Sequence, residues 1–360
     1  MELTRRQALG TLAGATAALT LPHAQAATAN QAVAFAFVSD THYIANKESP
    51  AELLEKSAAV TSRLIDTLNQ LPGQSIATEA GGGQVSPLQG VIHGGDLIDT
   101  GDKSGGAHGK MQQTEWDAFT ADFGLTGRDG KLKYPVYEVF GNHDAPRGTG
   151  LAIDGIQARN KSRVGVKQLS SNGLHYSWDW GSGDHQVHFL NLGIVVGTNQ
   201  NVPQPRRYNP LESLEFLRHD LQTSVGNSGR PVVITHHIDV QRYSTPCDQD
   251  DKAAGKEWHP CDARAFHAAI QDYNVIAILY GHTHARNVLK WNGTAERTQQ
   301  GFDLFNVDNG AHFHNDAQAF FYFEITPSQL RVRELATKDR WQTSYWSPQV
   351  WQRDLRPVRS

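Results

Sequence analysis

His282 and His284 stand two residues apart, just after an apolar run that ends in glycine, Ala277-Ile278-Leu279-Tyr280-Gly281. Glycine at a strand end lets the backbone turn without a Cβ penalty. The side chains that follow then emerge at the C-terminal edge of a sheet, where open α/β sheets hold their ligands. One histidine pair carries little weight alone, but four upstream segments end the same way. They are Phe37-Val38-Ser39-Asp40-Thr41-His42, Val91-Ile92-His93-Gly94-Gly95-Asp96, Val139-Phe140-Gly141-Asn142-His143-Asp144 and Val233-Ile234-Thr235-His236-His237. Together they deliver Asp40, His42, Asp96, Asn142, His236, His282 and His284 to equivalent positions. Carboxylates, imidazoles and one amide, with no thiolate, suit Mn, Fe, Zn or Co. Seven protein ligands are too many for one ion and right for two. With the ions roughly 3.5–4 Å apart, one carboxylate must bridge them, and a water or hydroxide held by both becomes the nucleophile of a phosphoryl displacement. His143 adjoins a ligand without needing to be one, which leaves it free to bind phosphate and protonate the leaving oxygen.

The elements that must position these residues follow from pattern. Residues 32–38, 91–93, 135–140, 231–235 and 275–280 read as strands. Helices are expected from the Ser49-Pro50 start to Leu71, around 111–123, over 211–221 and over 263–272. Residues 144–171 read as irregular and basic, with Arg147, Arg159, Lys161, Arg163 and Lys167. The stretches 176–180 and 187–191 alternate about Gly181-Ser182-Gly183-Asp184, as a hairpin does. The tail offers strands at 287–291, 302–306, 319–325 and 330–335. Such an order predicts one α/β domain over residues 27–360, with two sheets face to face and helices outside.

Asp40-Thr41-His42, Gly95-Asp96-Leu97-Ile98-Asp99, Gly141-Asn142-His143-Asp144, His236 and Gly281-His282-Thr283-His284 together resemble, in order, the signature of the calcineurin-like metallophosphoesterase superfamily. That resemblance implies a four-layer αββα sandwich of two mixed sheets flanked by helices. It implies Asp40, His42 and His284 on one metal, Asn142, His236 and His282 on the other, and Asp96 bridging. His236 is taken over His237 because it directly follows the strand. By the same resemblance His143 is the catalytic histidine, and Asp99 orients it through carboxylate pairing. Two departures stand out: Thr100 replaces the phosphate-holding Arg of the superfamily's Ser/Thr protein phosphatases, and Asp99 replaces the tyrosine ligand of purple acid phosphatases. The chain is therefore nearer the phosphodiesterase and small-molecule phosphatase branches. Monoester and diester stay open, because the missing Arg favours a diester and the basic 147–163 stretch a monoester.

Other features bear on setting. Thr4-Arg5-Arg6, a weakly hydrophobic run over 9–21 and Ala24-Gln25-Ala26 read as a twin-arginine signal peptide over 1–26, and so a periplasmic or secreted protein served by that export machinery. Cys247 and Cys261 lie in a polar insert at about 239–262. An isolated pair in an oxidising compartment reads as a disulfide, stabilising by roughly 3 kcal/mol on the chain-entropy model. The insert also carries Arg242, Tyr243, Trp258 and His259, so it could wall the site. Arg147, Arg242 and Tyr243 are candidate substrate contacts. His93 reads as packed, and His312 and His314 as reaching the rim. A net charge of -4 with no Lys/Arg run gives no footprint for nucleic acid, and no stretch after residue 30 is apolar over the ~20 residues a bilayer needs. The expected substrate is a small-molecule, lipid or nucleotide phosphate ester. The competing readings are a catalytically silent metal-binding or interaction protein on this fold, and a metal-sequestering or structural protein of the periplasm.

Overall fold

The computed structural model describes residues 32–183, 185–198, 206–247 and 256–355. The segment read as a signal peptide and the middle of the insert lie outside them. The first sheet holds β1 (Val33–Val38), β2 (Gly90–His93), β3 (Val136–Glu138), β11 (Gln318–Ile325), β12 (Gln329–Thr337) and β13 (Tyr345–Asp354), in spatial order 13-12-11-1-2-3. The second holds β4 (Val166–Leu169), β5 (Tyr176–Ser182), β6 (His185–Asn191), β7 (Val232–Thr235), β8 (Val275–Tyr280), β9 (Asn287–Trp291) and β10 (Phe302–Asn306), in order 4-5-6-7-8-10-9. Strands β1, β2 and β3 run parallel, as do β6, β7, β8 and β10. Within each sheet the parallel strands therefore end on one edge, and the loops after them can share a site.

Strands covered on both faces read as continuous apolar runs; β1 (VAFAFV) and β8 (VIAILY) are buried at every residue. The sheets interlock through aromatic rings. Tyr137 of β3 stacks on Trp178 of β5 at 4.2 Å, Phe35 of β1 meets Phe189 of β6 at 5.5 Å, and Phe323 of β11 meets Phe305 of β10 at 5.2 Å. Helix α1 (Glu55–Asn69) follows the first strand and its loop. Helices α2 (His108–Asp122) and α3 (Leu151–Ser162) lie on the first sheet, where His93 sits between Phe119 and Phe123. Helices α4 (Ser213–Asp220) and α5 (Pro260–Ile270) lie on the second, tied by Asp220 to Ser177 and His188 and by Phe266 to Trp291. The four-layer αββα sandwich is the fold. No helix among the described residues is long and apolar enough to cross a membrane.

Three elements depart from the sequence reading. The first helix begins at Glu55, because Ser49 and Glu52 close a turn (Glu52 N–H to Ser49 carbonyl, 2.9 Å) with Pro50 at its second position. The stretch read as irregular contains α3 and β4. The inner side of α3 carries Ala152, Ile153 and Ile156 but also Asn160, whose amide donates to the Gly173 carbonyl at 3.0 Å. A polar residue in the apolar stripe hid the helical period. The tail also ends in β13, an edge strand containing Pro348, which the ladder accommodates with a register shift opposite Arg333 and Leu335.

The basic residues of α3 have a structural use. Arg159 Nε lies 2.7 Å and Arg163 Nη2 2.8 Å from the buried Glu138 carboxylate, so these two do not reach toward substrate. Burial alone would raise the Glu138 carboxyl, but the two guanidiniums outweigh it and hold it at about 2, against an ordinary 4.5. A depressed carboxyl contributes stability above its unfolded value and loses it as pH falls through the folded one. Glu138→Gln is thus expected to destabilise by about 3–5 kcal/mol at neutral pH by stranding the guanidiniums. The gap to wild type should shrink between the ordinary and the depressed value, as thermal melts at pH 7 and pH 3 can read. An unchanged gap at pH 3 would remove Glu138 from this account.

Candidate active site

Backbone strain marks the site. Asp40 (φ 56), His42 (φ 43), Asp96 (φ 52), His282 (φ 74) and His284 (φ 51) all lie in the left-handed region. That region costs a non-glycine residue on the order of 1–3 kcal/mol and persists where the surroundings over-determine it. Here the loop after β1 is laced to the loop after β2: Asp40, His42 and Tyr43 donate their N–H groups to the carbonyls of Gly95, Asp96 and Leu97 at 3.0–3.1 Å. Asp144 ties the next loop in, its carboxylate accepting from the N–H groups of Leu97 and Ile98 (2.9 Å each) and Gly141 (2.7 Å). A Cβ at Gly141 would land on the Asp96 carboxylate, so only glycine fits there.

Three donor sets result, the donor atoms of each within 4.8 Å of one another: Asp40, His42 and His284 form the first, Asp96, His237 and His282 the second, and His42 joins Asp99 and His143 in a third. In the first, Asp40 Oδ1 lies 3.4 Å from His284 Nε2 and 3.9 Å from His42 Nε2. In the second, Asp96 Oδ2 and Asn142 Oδ1 lie 3.1 and 3.2 Å from His237 Nε2. Asp96 Oδ2 is also 3.6 Å from His42 Nε2, so one oxygen faces both of these sets. Ligand atoms about 2.1 Å from a common ion stand roughly 3.0–3.4 Å apart, which these spacings approach. The lone pairs argue likewise. His237 Nδ1 must donate to the Gly94 carbonyl, 2.7 Å away, which turns Nε2 toward two oxygen acceptors. A positive charge belongs between them. Burial favours neutral imidazole, yet Asp96 carries His237 up to about 9, and the nearby carboxylates of Asp40 and Asp99 carry His42 up to about 10. The donors fit cations, whose binding would displace those protons.

His236 is not in this cluster, contrary to the sequence reading. It turns the opposite way, into a wall of Trp258 (4.9 Å), Phe266 (5.7 Å) and Tyr280 (6.0 Å), where burial lowers it to about 3. Successive residues leaving a strand alternate in direction, so only one of the pair can face the site. Asp99 also departs from its expected use. Its carboxylate Oδ1 bonds His42 Nδ1 at 3.2 Å and is 3.7 Å from His143 Nδ1, while its backbone carbonyl accepts from His143 Nδ1 at 3.0 Å. His143 itself is a third exposed and stands edge-on to His42 at 4.8 Å.

Of the candidate substrate contacts, Arg147 is exposed on its loop, whereas Arg242 and Tyr243 are engaged with Glu257 at 2.9 and 2.6 Å. Cys247 and Cys261 form a disulfide, with Cα atoms 4.8 Å apart. Trp258 is buried against His236, and the ring of His259 accepts from Cys261 N–H at the start of α5. His312 meets His42 edge-on at 4.7 Å and His284 at a tilt at 5.0 Å, outside these donor sets. Residues without a role in the sequence reading are His237, Asp144 and Glu257. An acid following Asn-His in a turn dense with glycine was the one available signal, for Asp144.

The profile of the calcineurin-like phosphoesterase family matches residues 33–286, most of the chain and all the donor residues just described. The chain belongs to the calcineurin-like phosphoesterase family. It is by that membership a metal-dependent phosphoric ester hydrolase. Its fold is similar to that of a dimetal phosphatase from Danio rerio, at 14% identity and a TM-score of 0.51, covering 88% of this chain and 99% of the other. It is also similar to a purple acid phosphatase from yellow lupin (Lupinus luteus) seeds, at 14% identity and a TM-score of 0.50, covering 90% of this chain and 54% of that one. At such identities the likeness concerns the fold. No curated protein sequence matches the chain significantly.

The two neighbouring histidines separate in a simple experiment. Metal content per chain, measured by elemental analysis, should fall for His237→Ala and stay at the wild-type level for His236→Phe. The reverse result would restore His236 as the ligand.

Proposed function

We propose that the chain is an exported phosphoesterase with a dinuclear metal centre. In this reading Asp40, His42 and His284 hold one cation and Asn142, His237 and His282 the other, with Asp96 shared. The observation that carries it is the single oxygen, Asp96 Oδ2, lying within 3.1 Å of one set's imidazole and 3.6 Å of the other's. Two transition-metal ions, from Mn, Fe, Zn or Co, would supply Lewis acidity for the phosphoryl oxygens and lower the pKa of an attacking water.

The chain's own groups then have definable tasks. The Asp99 carbonyl can only accept, so His143 Nδ1 carries a proton and Nε2 is left to hold the one passed to the leaving oxygen. The Asp99 carboxylate keeps the His42 ring in place from its far side. Thr100 offers no substrate contact, since its hydroxyl and N–H both donate to Glu115, at 2.7 and 3.0 Å. With Arg159 and Arg163 committed to Glu138, the argument for a doubly charged monoester weakens. The reading therefore favours a phosphodiester. Export is supported by the Arg5-Arg6 segment and by the Cys247–Cys261 disulfide, a bond of oxidising compartments.

Purified protein loaded separately with Mn, Fe, Zn and Co should hydrolyse bis-p-nitrophenyl phosphate with a higher kcat/KM than p-nitrophenyl phosphate. His143→Ala should lower kcat at least ~10²-fold, the scale of a lost general acid, with metal content unchanged. Inertness toward both esters under every metal would end the catalytic reading.

A further inference from the structure

Each imidazole between the donor sets needs its second ring nitrogen satisfied, because that outer bond fixes the tautomer and aims the lone pair. His42 Nδ1 bonds the Asp99 carboxylate at 3.2 Å and His237 Nδ1 the Gly94 carbonyl at 2.7 Å. Both partners come from the loop after β2. His282 is served differently: its Nε2 lies 3.2 Å from Glu257 Oε1, a residue of the insert before α5. The carboxylate is itself held in place. Its Oε2 accepts from the Tyr243 hydroxyl at 2.6 Å and Arg242 Nη2 at 2.9 Å, and Arg207 Nη1 stands 3.6 Å from Oε1. Glu257 lies inside the loop closed by the Cys247–Cys261 disulfide, and its side chain is only 14% exposed.

We propose that Glu257 is a positioning residue of the metal centre, through which the disulfide-closed insert sets the orientation and basicity of His282. The inference rests on the dinuclear reading above. A carboxylate can only accept, so His282 Nε2 must carry the proton and Nδ1 keeps its lone pair for the cation. Glu257 also supplies charge where it is scarce. The first set has Asp40 to itself, while the second has the shared Asp96, a neutral amide and two imidazoles. Tyr243, Arg242 and Arg207 hold the carboxylate and keep it from swinging toward solvent. On this account Arg242 and Tyr243 act on the cation's ligand, not on substrate.

The test is stepwise binding of Mn2+ alone to the apo full-length chain, followed by calorimetry and by the electron paramagnetic resonance of single and paired ions. Wild type is expected to take up two ions. Glu257→Gln should weaken one of the two steps about 10–100-fold, the usual scale for losing such an outer partner, and leave the other within twofold. Asp99→Asn should weaken the opposite step. A purely structural role would shift the apo melting temperature or both steps together, and either outcome overturns the proposal, as do two unchanged steps. If Glu257→Gln does not fold, Glu257→Asp, which keeps the charge one methylene further back, is read by the same criterion with a smaller selective loss. Uptake of a single ion by wild type would instead overturn the dinuclear reading, and this inference with it.

Discussion

One oxygen organises the site. Asp96 Oδ2 comes from the first sheet and lies 3.1 Å from His237 Nε2, which comes from the second. The other Asp96 oxygen accepts the His143 N–H at 2.8 Å, so the carboxylate is held at both ends. Asp40 makes a second tie across the sheets, accepting the His282 N–H at 3.0 Å. Acceptors converging on one point repel unless a positive charge joins them. Their placement must therefore be imposed from outside, by the sandwich, before any cation arrives.

The imposition is expensive and local. Five left-handed residues and several glycines without room for a Cβ are gathered in loops that would not hold such shapes alone. Two structures hold them. Below lies the aromatic stack between sheets, which joins β1, β3 and β11 of the first sheet to β5, β6 and β10 of the second. Across the loops runs the bonding around Asp144, whose carboxyl is driven up to about 7 by burial and then by Asp96. Three N–H groups converge on that acid, so it works as a backbone clamp, and its protonation state is tied to that of its neighbour.

These causes decide what could be read from sequence. Parallel strands buried on both faces are apolar runs that stop abruptly, so the five strand ends and nearly all their polar cargo were legible. The same burial erased the phase of β7. Val232–Thr235 is buried throughout, so no alternation tells which of His236 and His237 faces inward. Helix α3 was obscured by Asn160 on its inner side, and β13 by Pro348, a residue that an edge strand tolerates. Glu257 has no local signature. Its meaning comes from His282, Tyr243, Arg242 and Arg207, which only the fold brings together.

The charge around the site bears on the kind of phosphate it can hold. Apart from Arg147, which is exposed on its loop, the cations in question already have an acid. Arg159 and Arg163 neutralise Glu138, Arg207 and Arg242 flank Glu257, and Lys103 Nζ lies 3.1 Å from Asp99 Oδ2. Beyond what Arg147 could offer, a dianionic ester end would have to draw one of these away and leave a carboxylate unpaired, at a cost of the kind that accompanies breaking a partly buried pair. A singly charged diester makes no such demand, because two cations held among Asp40, Asp96 and the imidazoles would balance it alone. Specificity on this view follows from which guanidinium groups are already occupied, a property that counting basic residues along the chain does not reveal.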